Sequence, residues 1–540
     1  MSAEKVFFNG NVITVEKDKP RATAFAVSGG KFIAVGNDAE VLEHKGDSTE
    51  AVDLRGKTVL PGFNDSHLHL LSVGTSMEIV DLTGAHSVDD MVKLGRNFLA
   101  ANPESRWLLG RGWSHEKFPD KRLPSRRDLD LISTEIPVFF TRVCGHVSVS
   151  NSRALELACV NKMTSQPVGG YIDFDDAGEP TGVLRERAST LVACLLPENS
   201  KEDYKRMYLK GARQAVEYGL TSVQSDDMGD LGAAEAKLTA LKELVDEGVW
   251  PLRINLQLRL SKPEQIDRAL ILQQQFVFPE HTVDYGPMKL MCDGSLGGRT
   301  AAMHEPYTDD PTTSGVAILT QDEIDNMILV AHQKGMQVCG HAIGDRTMDM
   351  LLNGFARMQQ LEPREDARPR IIHAQLTNQS ILNRCRDLGV VCDIQPIFVS
   401  TDLHFVEKRI GGERGKLTYA WKTMRDMGIP TAGGSDSPVE NCNPMLGLYA
   451  ALTRQDMSGY PEGGWLPEQR LDIDEALELF TMGSAFAAFD EDVKGSIAPG
   501  KLADFVVLPV DITNVEPQTI KDIPVTATYV GGQAAFGTIE

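Results

Sequence analysis

Short apolar runs that end on ionisable residues recur along the middle of the chain, separated by stretches with helical spacing. Before them, Val6-Phe7-Phe8, Val12-Ile13-Thr14-Val15 and Ala24-Phe25-Ala26-Val27 alternate in strand fashion, and Gly29-Gly30 turns the chain into Phe32-Ile33-Ala34-Val35. The same style returns over 496–508 and 526–530. The two ends therefore predict one small β-sandwich domain, residues 1–58 with 488–540, into which everything else is inserted. In the middle, 60–68, 220–225, 252–259, 286–292, 336–341, 369–374, 389–394 and 429–434 read as strands. Eight of them alternating with helices predict a (β/α)8 TIM barrel of the α/β class over 59–487.

Two helices are marked at their ends. Thr320 and Glu323 form a capping-box signal for a helix to about Lys334, which Gly335 can close. Another spans about 203–218 and stops at Gly219. Residues 75–200 are too many for a simple first crossover. They predict an insertion after barrel strand 1, with a helix from Ser87 to about Leu99 and a strand at 137–141, hung at the catalytic face as a lid.

The ends of the strands carry the candidate chemistry. The first closes on His67-Leu68-His69, and alternate residues of a strand share a face. Two imidazoles on one face make half of a metal site, although a His-x-His pair alone also fits a polar strand end. Further on, the fourth strand carries Lys289, the fifth ends at His341, the sixth at His373 and the eighth at Asp436. Barrel active sites form at the C-terminal strand ends, so these six groups converge on one mouth. Four histidines, a carboxylate and a lysine so placed point to a metal-dependent catalyst.

Composition narrows the partners. The chain has 540 residues and a formal net charge of −22, which argues against nucleic acid or an anionic membrane surface as partner. No apolar run approaches a membrane span, and the start lacks the basic and apolar regions of a signal peptide. Eight cysteines scattered through apolar segments read as reduced core thiols, and the expected location is cytoplasmic.

With these motifs in place, the sequence resembles the amidohydrolase superfamily of metal-dependent hydrolases, through His67-x-His69, Lys289, His341, His373, Asp436 and the tail Gly495-Ser496-Ile497-x-x-Gly500-Lys501-x-Ala503-Asp504. More narrowly it is similar to the amidohydrolase-3 branch, which includes N-substituted formamide deformylases. The segments that carry this are Gly110-x-Gly112-Trp113, Gly145-His146, Pro180-Thr181-Gly182-x-Leu184-x-Glu186 and Asp293-Gly294-Ser295-Leu296-Gly297-x-Arg299. Ser114 stands where an acidic residue is expected after Trp113.

The resemblance implies that His67, His69 and Asp436 hold one divalent metal and His341 and His373 a second, bridged by Lys289 as its N6-carboxylate. Two zinc ions suit the imidazole-rich set, with manganese or iron as alternatives. An unmodified Lys289 paired with Asp293 beside a single metal is the other reading. The expected reaction is attack of a metal-activated hydroxide on a non-peptide C–N bond of a small amide, such as an N-substituted formamide or N-acyl amine, with Asp436 as general base and then acid. Deamination or cyclic amide hydrolysis on the same site is the alternative, and a non-catalytic scaffold or a metal-dependent lyase a more distant one. For substrate contacts the candidates are Trp113, His146 and Arg299. For Trp113 a lid core is the favoured reading, while His146 equally fits a structural role and Arg299 a pair with Glu305 or Asp309. A homodimer is a family-level expectation.

Overall fold

The apolar runs in the middle of the chain close into a ring. A computed structural model describes residues 2–142 and 147–539. Its central sheet contains β1 (Phe63–Leu68), β2 (Leu220–Ser225), β3 (Arg253–Arg259), β4 (Val283–Met291), β5 (Val338–Ala342), β6 (Arg370–His373), β7 (Val391–Ile394) and β8 (Thr431–Gly433). Each strand pairs in parallel with the next in sequence. Every residue of β1, β2, β6, β7 and β8 is buried, as a parallel sheet covered on both faces requires. The registers Met291↔His341 and Ala342↔His373 bring successive strand ends to one level.

The ring joins where β8 meets β1. Asp436 N donates to His67 O at 2.8 Å and His69 N to Ser437 O at 2.8 Å. Gly434 lies at this seam, where a Cβ would stand 2.8 Å from His67 N, so only glycine lets the two backbones come this close. The eight expected strands are present within a few residues, and the sheet is a nearly closed α/β barrel.

One boundary differs. The run expected at 60–68 is two strands, Thr58–Pro61 and Phe63–Leu68, in different sheets. Gly62 separates them: its N–H bonds to Asp504 O at 2.9 Å, and a Cβ there would meet Thr221 Oγ1 at 2.1 Å. Thr58–Pro61 runs antiparallel to Phe505–Leu508, so the first and last parts of the chain share a six-stranded sheet. A four-stranded sheet of Lys5–Phe8, Ala24–Ser28, Lys31–Gly36 and Glu50–Asp53 completes the small β-domain. Between the sheets, Phe7 stacks on Phe25 at 4.8 Å and Phe505 on Tyr529 at 4.5 Å.

The helix signals hold. Thr320 and Glu323 form the reciprocal capping box of helix Gln321–Gln333, and Gly335 leaves it at φ +84°. Among the described residues no helix is long and apolar enough to cross a membrane.

Val73–Met207 is a compact unit of its own. Ser87 caps its helix Val88–Ala101 by accepting from Asp90 N at 3.0 Å. Where the sequence suggested one strand, the unit has a mixed six-stranded sheet that includes Leu108–Trp113, Val138–Arg142, Val147–Ser150 and Pro180–Glu186. Glycines hide these strands from a periodicity reading. Gly110 is needed because a Cβ would stand 2.7 Å from the Phe140 ring, and Gly112 has φ +107°.

Candidate metal centre

β1, β4, β5, β6 and the turn after β8 bring His67, His69, Lys289, His341, His373 and Asp436 to one end of the barrel. The described group whose ligand atoms all lie within 4.8 Å of one another is His67, His69 and Asp436. His67 Nε2 is 3.2 Å and His69 Nε2 3.1 Å from the same oxygen, Asp436 Oδ1. Lys289 Nζ is 3.1 Å from His67 Nε2. The His373 ring lies 5.7 Å from that of His67 and 4.5 Å from that of His341, centroid to centroid.

The second nitrogen of each imidazole decides what the first can do. His67 Nδ1 faces Gln257 Oε1 at 2.9 Å, and the Gln257 amide nitrogen donates to Ser66 O, which fixes the oxygen toward the histidine. His373 Nδ1 faces Gln395 Oε1 at 2.8 Å, with the Gln395 nitrogen on Asp393 O. His69 Nδ1 faces the Asp226 carbonyl at 3.0 Å, and His341 Nδ1 faces Asp293 Oδ1 at 3.0 Å. All four partners are acceptors, so all four Nδ1 atoms carry hydrogen, and a ring without a second proton presents a lone pair at Nε2. At Asp436 two such lone pairs meet a carboxylate oxygen. Three such atoms facing one another need a proton or a metal ion among them, and the donor set fits a divalent metal.

The electrostatics agree. Burial and the neighbouring Lys289 pull the His67 imidazole down to about 4, which keeps it neutral. Burial and His341 hold His373 well below its ordinary value. Burial opposes charge on Asp436, but hydrogen bonds with His67 and His69 hold its carboxyl well below the usual range. Burial also pushes His69 down, and Asp436 more than offsets this to raise it. Asp436 (φ 57°) and His373 (φ 81°) both occupy left-handed backbone, a conformation that costs a non-glycine residue on the order of 1–3 kcal/mol and persists where the surroundings over-determine it.

Three expectations are corrected and one falls outside the described residues. Lys289 does not pair with Asp293; its Nζ is 3.0 Å from Asp226 Oδ2, whose side chain is wholly buried. Asp293 is occupied otherwise, orienting His341 and accepting from the backbone N–H groups of Ala302, Ile343 and Gly344. Trp113 is not a substrate wall. It is fully buried in the apolar core of the inserted unit, and its indole N–H donates to Phe140 O at 3.2 Å. Arg299 takes the alternative partner, its Nε and Nη2 donating to the two Asp309 oxygens at 3.1 and 2.9 Å. His146 lies outside the described residues.

Asp226, Gln257 and Gln395 went unrecognised in the sequence. For Asp226 a signal existed: it follows β2 directly, at the same rim as the other strand ends. Burial raises its carboxyl, yet Lys289 and His69 bring it down to about 2. The glutamines had no signal, since an amide on β3 gives no hint that it aims a histidine two strands away, nor one just past β7 that it aims a histidine on the neighbouring strand. Gln395→Leu is expected to weaken metal affinity by about 10–100-fold, read by competition with a chelator. An unchanged affinity would remove Gln395 from the support of the site.

Known proteins place this site in a family. A model described as the Amidohydrolase family matches residues 50–536. YtcJ of Bacillus subtilis (strain 168) is 32% identical over 98% of this chain and 99% of its own length. An N-substituted formamide deformylase of Arthrobacter pascens is 27% identical over 98% of this chain and 97% of its own. The crystal structure of an uncharacterized metal-dependent hydrolase from Pyrococcus horikoshii OT3 superposes with a TM-score of 0.79 at 30% identity, covering 95% of this chain and 99% of that one. With the barrel, the converging ligand atoms and these full-length matches together, the chain belongs to the amidohydrolase family.

Proposed function

We propose that this metal-dependent hydrolase cleaves the C–N bond of a non-peptide amide, an N-substituted formamide or an N-acyl amine. The observation that carries the reading is the convergence of two imidazole lone pairs and the Asp436 carboxylate on one point, with Lys289, His341 and His373 beside it. The full-length likeness to a formamide deformylase favours an acyl or formyl substrate.

His67, His69 and Asp436 would hold one divalent ion and His341 and His373 another, with Lys289 between them, carboxylated where two ions are bound. Zinc suits the imidazoles best, and manganese or iron are the alternatives. Such an ion lowers the pKa of water and polarises a carbonyl. The residues supply the rest. Gln257, Gln395, Asp293 and the Asp226 carbonyl keep every Nδ1 protonated, so the ring nitrogens toward the site stay aprotic. Asp436, held as a carboxylate, takes the proton of the attacking water and returns it to the departing nitrogen.

The test is amine release by metal-replete protein across N-substituted formamides, N-acyl amino acids and cyclic amides. Release of a primary amine from the first or second class, lost on chelation, is the expected result. Turnover confined to ring opening, or to deamination with ammonia as product, would overturn it.

A further inference from the structure

A cavity of about 460 Å³ opens among the loops that follow β7 and β8, lined by Ile397, Thr401, His404, Glu440, Asp456 and Met457 among others. Two short chain links tie it to the metal centre. Ile397 precedes Phe398, whose ring stacks on His373 at 5.9 Å and 15°. Glu440 follows Asp436 through Ser437-Pro438-Val439.

Its two carboxylates are in different states. Asp456 is fully engaged: Oδ1 accepts from Ser458 N, Ser458 Oγ and Tyr460 N, and Oδ2 pairs with His404 at 3.0 Å. Among the described residues Glu440 has one hydrogen bond, from Thr401 Oγ1 to its Oε1 at 2.9 Å, and the lining contains no lysine or arginine. Burial pushes the Glu440 carboxyl upward, with Thr401 working against it, so its charge lacks compensation. Ile397, Leu446 and Met457 add apolar wall. A carboxylate without a cation beside it in a part-apolar hollow suits an ammonium at the end of a methylene stem.

We infer that this cavity receives an ammonium-bearing arm of the amide substrate, with Glu440 as the group that selects for the positive charge. The inference rests on the amide reading above and names the substrate class within it: amides of diamines and other amines with a second, cationic nitrogen. Thr401 holds one oxygen of Glu440 and leaves the other for the ligand.

Calorimetric titration of metal-replete protein in the cold, with any amine released in each run quantified afterwards, tests this. The ligand pair is N-formyl-1,6-diaminohexane and N-heptylformamide, equal in length and different in charge. At neutral pH and low salt the cationic ligand is expected to bind about 10-fold tighter, the scale of one partly desolvated charge pair. Glu440→Gln should erase that preference and leave the affinity for N-heptylformamide unchanged. Equal affinities in the wild type, no binding of either ligand, or a preference that survives Glu440→Gln would overturn the assignment. Protein that binds the cationic formamide selectively yet releases no amine when metal-replete keeps the cavity assignment and loses the proposed reaction.

Discussion

Asp436→Asn is expected to lower kcat/KM about a thousandfold, the scale of a lost general base, in a protein that still folds. The two effects separate because of what surrounds the side chain. Asp436 Oδ1 faces His67 Nε2 and His69 Nε2 at 3.2 and 3.1 Å, an arrangement that needs a proton or a metal ion among the three. An asparagine amide turned the other way donates its N–H groups to those same lone pairs. The acceptors are then satisfied without a cation, so the fold is kept while the demand for metal falls. The backbone bond from residue 436 N to His67 O does not depend on the side chain and continues to close the barrel seam. Thermal unfolding should therefore move little, and elemental analysis should show reduced occupancy. Steady-state rates at saturating added metal isolate the proton-transfer role, because refilling the site does not restore a base. A variant that kept both its metal and near-normal turnover would end Asp436's part in the reaction.

How much of this could be read beforehand varies with the kind of information. The barrel strands were legible because burial on both faces leaves unbroken apolar runs such as Ile371-Ile372, and because each run ends on a group too polar to be core. His67, Lys289, His341, His373 and Asp436 stood out for that second reason. The split at Gly62 was not legible, because Val59-Leu60-Pro61 and Phe63 are equally apolar and only the approach of Thr221 shows that the chain changes sheets there. Orientation was the least legible. Arg299 was read as a ligand clamp or a partner of Asp309, and only coordinates decide that the fork closes on Asp309. Trp113 has an aromatic face that suits a substrate wall as well as the favoured lid core, and the inserted unit uses it as core. Lys289 facing Asp226 rather than Asp293 has the same origin: two strand ends offer a carboxylate, and Asp293 is taken up by His341 and three backbone N–H groups.

Arg370→Met should cost about 3–5 kcal/mol, the penalty for leaving one member of a buried ion pair alone. Arg370 lies on β6 and is wholly buried, as is its partner Asp393 on β7. The guanidinium bonds both Asp393 oxygens, at 2.8 and 3.0 Å, together with Gln224 Oε1 at 2.6 Å, Ser66 O at 3.0 Å and Ala487 O at 3.3 Å. It thus ties β6 to β7, to β2 and to β1 just below His67, where most barrels of this kind carry aliphatic layers. Methionine matches the stem but offers nothing to Asp393, Gln224 or the two carbonyls. Even with Arg370 present, burial holds the Asp393 carboxyl above its ordinary value. Without the cation it rises further and the acid folds protonated. A folded-state pKa above the unfolded one gives stability that is present at low pH and lost as pH climbs through the folded value. The deficit of Arg370→Met relative to wild type should therefore be smaller near pH 5 than near pH 8, and thermal unfolding at the two pH values reads it directly. Arg370→Met with Asp393→Leu removes both charges and should recover much of the loss, independently of pH. If the single variant unfolds within a degree of wild type at both pH values, or the double variant is no better than the single, the buried pair is not what holds the strands beneath the metal centre.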